Sequence, residues 1–364
     1  MKVLHISTAT GWRGGEQQAA YLITELQQLN VACMLLCPQD SEIQKRASCP
    51  QVFTFRKKGS LNFSLAGQIK KICIANQISL IHTHDSHAHT AAFISAWLFG
   101  NKTPVIISRR VDFAVSGNFF SGMKYNHPCI KKIICVSAAI QKLTAPAISD
   151  KSKLSVVHSG IDKNKFNLQQ IKNKLRSEFN LSNDSLLVGN VSALADHKDL
   201  FTFIAAAEKI NAAMPEVRFF LIGEGPERAA LQAEVKNKKL EQVLFFTGFR
   251  KDVAEILPEL DIFLMTSKTE GLGTTLLDAF AAKVAVVATN AGGISEIVQD
   301  GFTGLISDVG DAENLSRQVI KLIENKELKN RLTDNAFKFV DGFTYSTTAK
   351  KTLQIYKEVL GENN

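Results

Sequence analysis

Short apolar runs and segments of helical periodicity alternate along most of the chain. In the first half, the apolar runs cover residues 2–6, 31–36, 52–55, 80–82, 105–107, 132–136 and 154–157. Helical patterns cover residues 15–29, 63–75, 89–99 and 137–143. The runs are too continuous for half-exposed antiparallel strands, and the spacers are long enough for crossover helices. The pattern therefore predicts an α/β fold with a parallel sheet.

The same pattern restarts in the second half. It predicts strands at residues 186–191, 217–222, 243–246, 262–265 and 284–288, with helices between them and helical segments continuing to residue 360. The polar stretch 158–173 has little periodicity, so we place the domain junction there. We predict an N-terminal domain over 1–165, a C-terminal domain over 166–342 and a helical segment over 343–364. Two doubly wound sheets in tandem would bring the carboxyl ends of their strands to one interdomain cleft, where such sheets bind ligands.

Composition narrows the class of protein. The 364 residues are 45% hydrophobic and 21% charged, which is typical of globular domains. The longest apolar stretch, residues 91–100, is half of what a bilayer requires. Residues 1–6 resemble a first strand more than a signal peptide. The six cysteines contain no C-x-x-C pair, as expected for thiols in a reducing compartment. We therefore expect a cytoplasmic protein.

The net charge of the first half of the chain is opposite in sign to that of the second half. Residues 1–165 hold 20 Lys and Arg against 8 Asp and Glu, whereas the remainder holds 23 against 27. The basic half should attract an anionic partner, such as a phosphorylated small molecule, a phosphorylated glycolipid or an anionic membrane face. A solvated basic surface is the alternative interpretation. No zinc-finger, RNP or aromatic-interleaved basic signature is present, so nucleic acid is not expected.

The strongest motif covers residues 267–279, directly after an apolar strand. Gly271 and Gly273 allow a tight turn and a close approach of the backbone to a ligand. Thr274 and Thr275 begin a helix, and the free N–H groups of its first turn form an anion site. A diphosphate requires such a site.

Two carboxylates flank this loop. Glu270 precedes it and can accept hydrogen bonds from sugar hydroxyls, while Asp278 lies one helical turn further on and can bind ribose hydroxyls. This arrangement suits a nucleotide sugar. Thr275 and Asp278 also match a plain capping box. For Asp278 this structural interpretation is about as well supported as ribose binding, whereas for Glu270 the functional interpretation is favoured.

These residues resemble the E-x7-E motif of retaining glycosyltransferases of the GT-B fold, in the large fourth sequence family also called group 1. Further motifs of that family have counterparts here in the same order. They are Gly14-Gly15, Val157-His158-Ser159-Gly160-Ile161-Asp162, Leu221-Ile222-Gly223-Glu224-Gly225-Pro226, Phe246-Thr247-Gly248-Phe249-Arg250 and Ala291-Gly292-Gly293-Ile294-Ser295-Glu296. The resemblance covers nearly the whole chain and implies two Rossmann-like domains facing across a cleft.

The resemblance also implies roles for individual residues. Glu270 would contact the donor sugar at the transition state, and Lys198 would neutralise the departing diphosphate, so that no metal is required. The remaining donor-binding positions would be Gly15, Gly223, Arg250 near the nucleobase, Gly271, Leu272, Gly273, Thr274, Thr275 and, at the ribose, Asp278. Gly14 and Glu16 would lie on the acceptor side, and the segment 343–364 would pack back on the N-terminal domain.

The sequence departs from the family at several positions. The family often places an arginine about five residues before the lysine, where this chain has Ser192-Ala193-Leu194. Asp278 stands where Glu is usual. Where some members have a histidine after the fifth strand, this chain has Arg109 and Arg110, which can bind an acceptor phosphate or the leaving group. The stretch Arg-Arg-Val-Asp-Phe also resembles the subset that acts on bacterial surface polysaccharides, including lipopolysaccharide core.

Four histidines occur within residues 82–89. Such a cluster can bind a metal, but a strand ending near His82 would turn into a loop and scatter the rings, so a metal site is the less favoured interpretation. The family often has H-x-H here, which makes His84 a catalytic candidate and Asp85 an acceptor-binding candidate. Hydrogen bonding of these rings to neighbouring backbone remains an alternative.

Residues 112–125 mix apolar side chains with nearby basic ones. An interfacial segment that docks on anionic lipid has this composition. Burial of Phe119 and Phe120 at the start of a helix is the slightly favoured interpretation. If the segment binds membrane, the acceptor is expected to be lipid-linked and the protein to be peripheral at the inner face of the plasma membrane.

Three other functions compete with a transferase that moves a sugar from a nucleotide sugar to an anionic or lipid-linked saccharide. A nucleotide-sugar 2-epimerase of the same fold would bind the same donor and form product without an acceptor. A nicotinamide-dependent oxidoreductase is disfavoured because Gly11-Trp12-Arg13-Gly14-Gly15-Glu16 has the wrong glycine spacing. A non-catalytic nucleotide-sugar-binding subunit, or a degenerate partner subunit, is compatible with the missing arginine, although the presence of Glu270 and Lys198 disfavours it. We expect no cofactor and no metal, with a UDP-sugar as co-substrate from family frequency.

Overall fold

The computed structural model describes residues 1–57, 62–166, 168 and 173–362 and divides the chain into two compact units. Unit 1 comprises Met1–Gly160 together with Tyr345–Asn364, and unit 2 comprises Ile161–Thr344. The division follows Gly160 rather than residue 165, because Ile161 bridges to Thr344 and its N–H donates to the carbonyl of Phe343 at 2.8 Å. The turn that follows Ile161 therefore belongs to unit 2.

Unit 1 is built on a parallel sheet. In the described part of the chain its strands are β1 (Lys2–Ile6), β2 (Ala32–Pro38), β3 (Gln51–Phe55), β4 (Leu80–Thr83), β5 (Val105–Arg109), β6 (Ile130–Cys135) and β7 (Leu154–Val156). They pair in the order β3-β2-β1-β4-β5-β6-β7, all in parallel. Both faces of the central strands β4 and β5 are buried, as the continuous apolar runs predicted.

The helices that follow these strands are α1 (Gly14–Gln28), α2 (Glu42–Arg46), α3 (Phe63–Asn76), α4 (Ser86–Trp97), α5 (Phe119–Asn126) and α6 (Ala138–Thr144). In α1, Ala19, Leu22, Ile23 and Leu26 recur at helical spacing and are buried on one face. The short helix α2 was not predicted, since it is too short to show a full amphipathic period. For α5 only a helix start at Phe119 and Phe120 was expected.

Unit 2 contains a second parallel sheet. Its described strands are β8 (Leu186–Val191), β9 (Val217–Ile222), β10 (Leu244–Gly248), β11 (Ile262–Met265), β12 (Ala285–Thr289) and β13 (Leu305–Ser307), in the order β10-β9-β8-β11-β12-β13. Its helices are α7 (Lys174–Glu178), α8 (Leu200–Ala213), α9 (Arg228–Asn237), α10 (Val253–Ile256), α11 (Thr274–Ala281), α12 (Ala312–Glu324) and α13 (Lys326–Phe339). The five predicted strands of this half are present, and β13, with three residues, was not predicted. The prediction of two doubly wound α/β domains is confirmed.

The last helix, α14 (Tyr345–Leu360), belongs to unit 1. Ala349 and Tyr356 are fully buried in one apolar cluster with Val3 and Leu35 from the sheet and residues of α1. The hydroxyl of Tyr356 lies 2.5 Å from Nδ1 of His82. The carboxyl-terminal helix thus completes the core of the N-terminal sheet.

No helix in the described part of the chain combines the length and apolar character needed to cross a membrane.

Candidate functional site

The predicted donor-binding residues of unit 2 follow the carboxyl ends of successive parallel strands. Lys198 follows β8, Gly223 follows β9, Arg250 follows β10 and Glu270 follows β11. Since the strands are parallel, these loops emerge at one edge of the sheet, where open α/β sheets bind ligands.

Lys198 and Glu270 form an ion pair. The ammonium nitrogen of Lys198 lies 2.5 Å from Oε1 of Glu270, which also accepts a hydrogen bond from the Ser267 hydroxyl at 2.9 Å. The side chains of Lys198 and Glu270 are 17% and 10% exposed. A cation and an acid are therefore held together at the predicted catalytic position, with each charge compensated by the other.

The backbone around Lys198 is fixed to the end of β11. The N–H of Lys268 donates to the carbonyl of His197 at 2.8 Å, and the Thr266 hydroxyl donates to the carbonyl of Asp199 at 2.9 Å. Asp199 itself adopts a left-handed conformation with φ of 47°. These contacts place the lysine against Glu270, and the sequence analysis did not assign roles to Thr266 and Ser267.

Two glycines after β12 support the Glu270 loop. A Cβ on Gly292 would lie 2.1 Å from the carbonyl oxygen of Glu270, and one on Gly293 would lie 2.4 Å from that of Gly271. The N–H of Gly293 donates to the Glu270 carbonyl at 2.9 Å. The Gly-Gly motif is therefore required because the two backbones are in direct contact.

Gly223 has a comparable packing role. Its φ is +148°, and a Cβ there would lie 1.9 Å from the carbonyl oxygen of Ser192. A Cβ on Gly225 would lie 2.3 Å from the carbonyl oxygen of Leu194, whose N–H donates to Glu224. The glycine-rich turn thus presses against the segment that carries Ala193 in place of the family's arginine.

Helix α11 supplies an anion-binding geometry next to Glu270. Gly273, with φ of +80°, directly precedes the helix, and Leu272 is buried beside it. Thr274 and Thr275 form the first turn, whose N–H groups have no carbonyl partner within the helix. The helix dipole adds positive potential at the same end. The structure therefore brings Glu270, Lys198 and a helix N-terminus to one strand edge.

Asp278 is paired within unit 2. One of its oxygens lies 2.7 Å from the ammonium of Lys165, and 18% of its side chain is exposed. Burial raises the pKa of Asp278 above its ordinary value, and the charge of Lys165 lowers it. The sequence analysis did not identify Lys165, which lies three residues after Asp162 in a junction that carries little pattern. Lys165 therefore places a cation directly beside the carboxylate of Asp278.

Arg250 is held by two acids. Its guanidinium contacts Glu178 at 2.6 Å and Asp252 at 2.8 Å. Both acids raise the pKa of Arg250, and the guanidinium lowers the pKa of Asp252 to about 2. In the described part of the chain, no hydrogen bond joins Arg250 to the Lys198–Glu270 pair.

Unit 1 contains a pocket of about 430 Å³ at the carboxyl edge of its own sheet. Its lining brings together most of the predicted acceptor residues with the predicted Gly15 and His84. They are Gly15, Glu16, His84, Asp85, Arg109 and Arg110, and the lining also includes Arg13, His89, Lys124 and Tyr125, to which the sequence analysis gave no role. Gly14 is the first residue of α1 and lies outside the lining.

Two of these predicted residues are engaged in the fold. Asp85 caps α4 by accepting from the N–H of Ala88 at 2.8 Å, and it also accepts from the N–H and hydroxyl of Thr8, each at 2.6 Å. Arg109 donates to Thr144 at 2.9 Å, to Tyr125 at 3.0 Å and to the carbonyl of Phe113. Both side chains shape the wall of the pocket.

The histidines near β4 do not form one cluster of four. His87 is exposed, and His89 bonds instead to the carbonyl of Lys124. His84 and His82 are joined by His5 of β1, whose Nδ1 lies 3.0 Å from Nε2 of His84. Candidate ligand nitrogens of these three rings lie within 4.8 Å of one another, so they form a group that can hold a metal ion.

Hydrogen bonds already occupy several of these ring nitrogens. The two ring nitrogens of His82 contact the hydroxyl groups of Tyr356 and, at 2.8 Å, Ser108. Burial lowers the pKa of His5 to about 3 and lowers the pKa values of His82 and His84 well below their usual value. The rings are therefore neutral at physiological pH.

The segment from the end of β5 to the first turn of α5 exposes apolar side chains. Phe119 is 83% exposed, Phe113 63% and Phe120 38%. The expectation that Phe119 is buried at the start of a helix is wrong: α5 does begin there, capped by Asn118, but its first residue points to solvent. Phe120 is partly covered, with its ring packed edge-on against Phe93.

Comparisons with known proteins cover both units. Residues 171–339 match the family model described as "Glycosyl transferases group 1", and residues 12–165 match that described as "Glycosyltransferase Family 4". The chain is 24% identical to N-acetyl-alpha-D-glucosaminyl L-malate synthase of Bacillus anthracis, over 83% of this chain and 80% of that protein. It is 23% identical to UDP-Gal:alpha-D-GlcNAc-diphosphoundecaprenol alpha-1,3-galactosyltransferase of Escherichia coli, over 80% of this chain and 78% of that protein.

A solved structure agrees in fold. The crystal structure of Anabaena Alr3699/HepE in complex with UDP and glucose superposes with a TM-score of 0.83 at 21% identity, over 98% of this chain and 99% of that one. The similarity to it is one of fold.

Proposed function

Because the chain belongs to the glycosyltransferase family that these two models describe, we propose that it is a retaining glycosyltransferase using a UDP-sugar as donor. The acceptor is a saccharide or a lipid-linked saccharide, and the reaction serves the synthesis of a bacterial surface glycan such as lipopolysaccharide. The observation that carries this proposal is the Lys198–Glu270 pair beside the N-terminus of α11.

The donor half of the proposed reaction takes place on unit 2. The bond between the anomeric carbon and the diphosphate breaks, so negative charge grows on the departing phosphate and positive charge grows on the sugar. Lys198 and the first-turn N–H groups of α11 stabilise the phosphate, while Glu270 faces the positive sugar. When the diphosphate binds Lys198, the carboxylate of Glu270 is released from its ion pair to act on the sugar.

The same arrangement supports a reaction that requires no metal. A diphosphate leaving group needs positive charge, and this edge of unit 2 supplies it from a lysine and a helix dipole. Lys165, paired with Asp278, adds a second cation near the proposed ribose position.

The acceptor is proposed to bind in the pocket of unit 1. Its hydroxyl oxygen forms the new bond to the anomeric carbon, and the hydroxyl proton passes to the oxygen of the departing diphosphate. His84 lines this pocket as a neutral ring suited to a hydrogen bond with a hydroxyl group. The names of the two relatives support an anionic or lipid-linked acceptor, since one contains L-malate and the other diphosphoundecaprenol.

Peripheral contact with an anionic membrane is part of the proposal. Phe113 and Phe119 are exposed on the segment that borders the pocket, and the first 165 residues carry an excess of basic side chains. Apolar residues beside basic ones suit insertion into an anionic lipid surface. We therefore propose that the enzyme works at the cytoplasmic face of the membrane.

Calorimetric titration of the purified protein with UDP, GDP, ADP, CMP and NAD, with and without EDTA, tests the donor assignment. The proposal predicts saturable binding of UDP that the chelator does not change. Product formation from a UDP-sugar without an acceptor would favour an epimerase. Absence of nucleotide binding would favour a degenerate partner subunit, in which Ala193 stands near the position of the family's arginine. Binding of NAD alone would overturn the proposal.

A further inference from the structure

Lys124 is a buried cation in the pocket of unit 1. It lies on α5 and is only 6% exposed, and its ammonium nitrogen donates to the hydroxyl of Thr90 at 3.3 Å. Burial and the nearby charge of Arg109 lower the pKa of Lys124 to about 8, so it is still mostly protonated at neutral pH. In the part of the chain that the structure describes, Lys124 forms no ion pair.

Arg110 lines the same pocket with most of its donors unused. One guanidinium nitrogen donates to the carbonyl of His84 at 3.4 Å, while Nε is buried without a partner among the described residues. Arg109, the preceding residue, bonds through all three of its nitrogens. A buried donor without a partner is costly, so the free Nε and the other unused donors of Arg110 point to a ligand.

The acids of this pocket do not neutralise these cations by direct contact. Oε2 of Glu16 accepts from the backbone N–H of Arg13 at 2.9 Å. Both oxygens of Asp85 accept from Thr8, and Oδ1 also accepts from the N–H of Ala88 in α4. Glu16 and Asp85 lie near enough to raise the pKa of Arg110, against the larger lowering by burial. His84 and His89 are neutral because burial lowers their pKa values well below the usual value.

We propose that Arg110 and Lys124 together bind an oxyanion, a phosphate or a carboxylate, that is part of the acceptor. The inference rests on the proposed function, since it takes the pocket of unit 1 as the acceptor site. It narrows the acceptor to an anionic molecule and assigns Lys124 and Arg110, rather than Arg109 or Asp85, to its recognition. A pocket of about 430 Å³ has room for such a group with an attached sugar or small acid.

Anomalous diffraction from crystals soaked in selenate tests the location directly. Selenate is a divalent tetrahedral oxyanion like phosphate, and the expected result is an anomalous peak within hydrogen-bond distance of Arg110 and Lys124. A peak at the N-terminus of α11 with none in this pocket overturns the proposal.

Phosphate titration of variants tests the same site in solution. R110Q and K124M should each weaken the affinity of the pocket for inorganic phosphate about tenfold, the effect of one lost charge-assisted hydrogen bond. K142M removes an exposed lysine from α6 and should change nothing. Both pocket variants should still bind UDP as the wild type does, which separates this inference from the proposed function. Unchanged phosphate affinity in R110Q and K124M overturns it.

Vesicles distinguish the two sources of the anion. If R110Q and K124M also lose binding to phosphatidylcholine vesicles that contain phosphatidic acid, the oxyanion is a lipid headgroup. If phosphate binding falls while vesicle binding is retained, the acceptor is a soluble anion.

Discussion

The two candidate sites treat charge in opposite ways. In unit 2, Lys198 is paired with Glu270 at 2.5 Å and Asp278 with Lys165 at 2.7 Å. In the pocket of unit 1, Arg110 and Lys124 have no ion-pair partner among the described residues, and each has one hydrogen bond to a neutral group. In the proposed reaction, the first site exchanges an internal ion-pair partner for its ligand, whereas the second site has no internal partner to exchange.

This difference in ion pairing affects product release at the first site and anion affinity at the second. A diphosphate site that must release its product benefits from an internal carboxylate that competes for the lysine. At a site where buried cationic groups lack an ion-pair partner, an added anion does not have to displace an internal carboxylate. Its binding free energy is then more favourable, because the desolvation of the cations has already occurred on folding. The comparison therefore predicts catalytic losses from changes in unit 2 and losses of anion affinity from changes in unit 1.

The largest effect is expected for E270Q. Removing the charge that is proposed to face the sugar should lower kcat by about 10²- to 10³-fold, as for the loss of other preorganised electrostatic groups, with little change in the free energy of unfolding. The measurement is turnover of UDP-sugar together with thermal unfolding.

Glu259 provides the matched control. It is also a buried glutamate of unit 2, but it accepts from the backbone N–H groups of Lys174 and Leu175 at the start of α7, the shortest contact being 2.6 Å. E259Q should lose about 1–3 kcal/mol of stability and keep its turnover. Equal losses of stability and turnover in E270Q would contradict its assignment.

The next effect is expected for K198M. Without its charge, unit 2 should bind UDP about tenfold more weakly, since a hydrogen bond to a charged group contributes about 1.5–3 kcal/mol. The control is K268M, which removes a lysine that is paired with Asp196 and 44% exposed. Calorimetry compares the two variants, and equal UDP affinities in both would exclude Lys198 from the donor site.

Membrane association should depend on the exposed phenylalanines. The double variant F113S/F119S should bind anionic vesicles several-fold more weakly, because each side chain loses apolar surface that the lipid would cover. F302S removes a 48% exposed phenylalanine of unit 2 and serves as the control. Vesicle co-sedimentation measures the effect, and identical binding of both variants would argue against a membrane role for the segment.

The smallest effect is a pH dependence of anion binding in unit 1. With a pKa of about 8, Lys124 is mostly charged at pH 7 and mostly neutral at pH 9, so sulfate affinity should fall several-fold across this range. The groups that face it are Thr90, His89, Arg109 and Tyr125. Burial lowers the pKa of His89 well below its usual value and raises that of Tyr125, so both of these groups are neutral between pH 7 and 9.

Sulfate keeps its own charge over the range, so titration of the ligand does not contribute. K124R should give a flat profile because arginine remains protonated. A wild-type affinity that does not change between pH 7 and 9 would contradict the role of Lys124.

The strands and the glycine-rich loop that follows Glu270 could be predicted from the sequence for a physical reason. Parallel strands are buried on both faces and read as continuous apolar runs, and the loop around Glu270 requires glycines and a helix start at fixed spacing. Twelve of the thirteen described strands follow from this pattern, and β13, with three residues, does not. The resemblance of the motifs to a glycosyltransferase family is confirmed by the two family models.

The parts that were missed depend on tertiary contacts. Lys165 reaches Asp278 from a turn with little periodicity, and His5 joins His82 and His84 only because β1 and β4 are neighbours in the sheet. Lys124 lies in a short helix whose pattern does not distinguish a buried cation from an exposed one. Phe119 was expected to be buried because it is hydrophobic, but hydrophobicity does not show to which side the first residue of a helix points, and Phe119 is exposed.

The most direct test of the central claim follows the anomer released from the donor. In ¹H NMR, hydrolysis of UDP-α-D-glucose, UDP-α-D-galactose and UDP-α-D-GlcNAc by the wild type is recorded at early times, before mutarotation, with E270Q as the background. We expect the wild type to release the α-sugar first from the donor that it accepts, also in the presence of EDTA. We expect E270Q to release the sugar far more slowly. First release of the β-sugar would contradict a retaining reaction at Glu270.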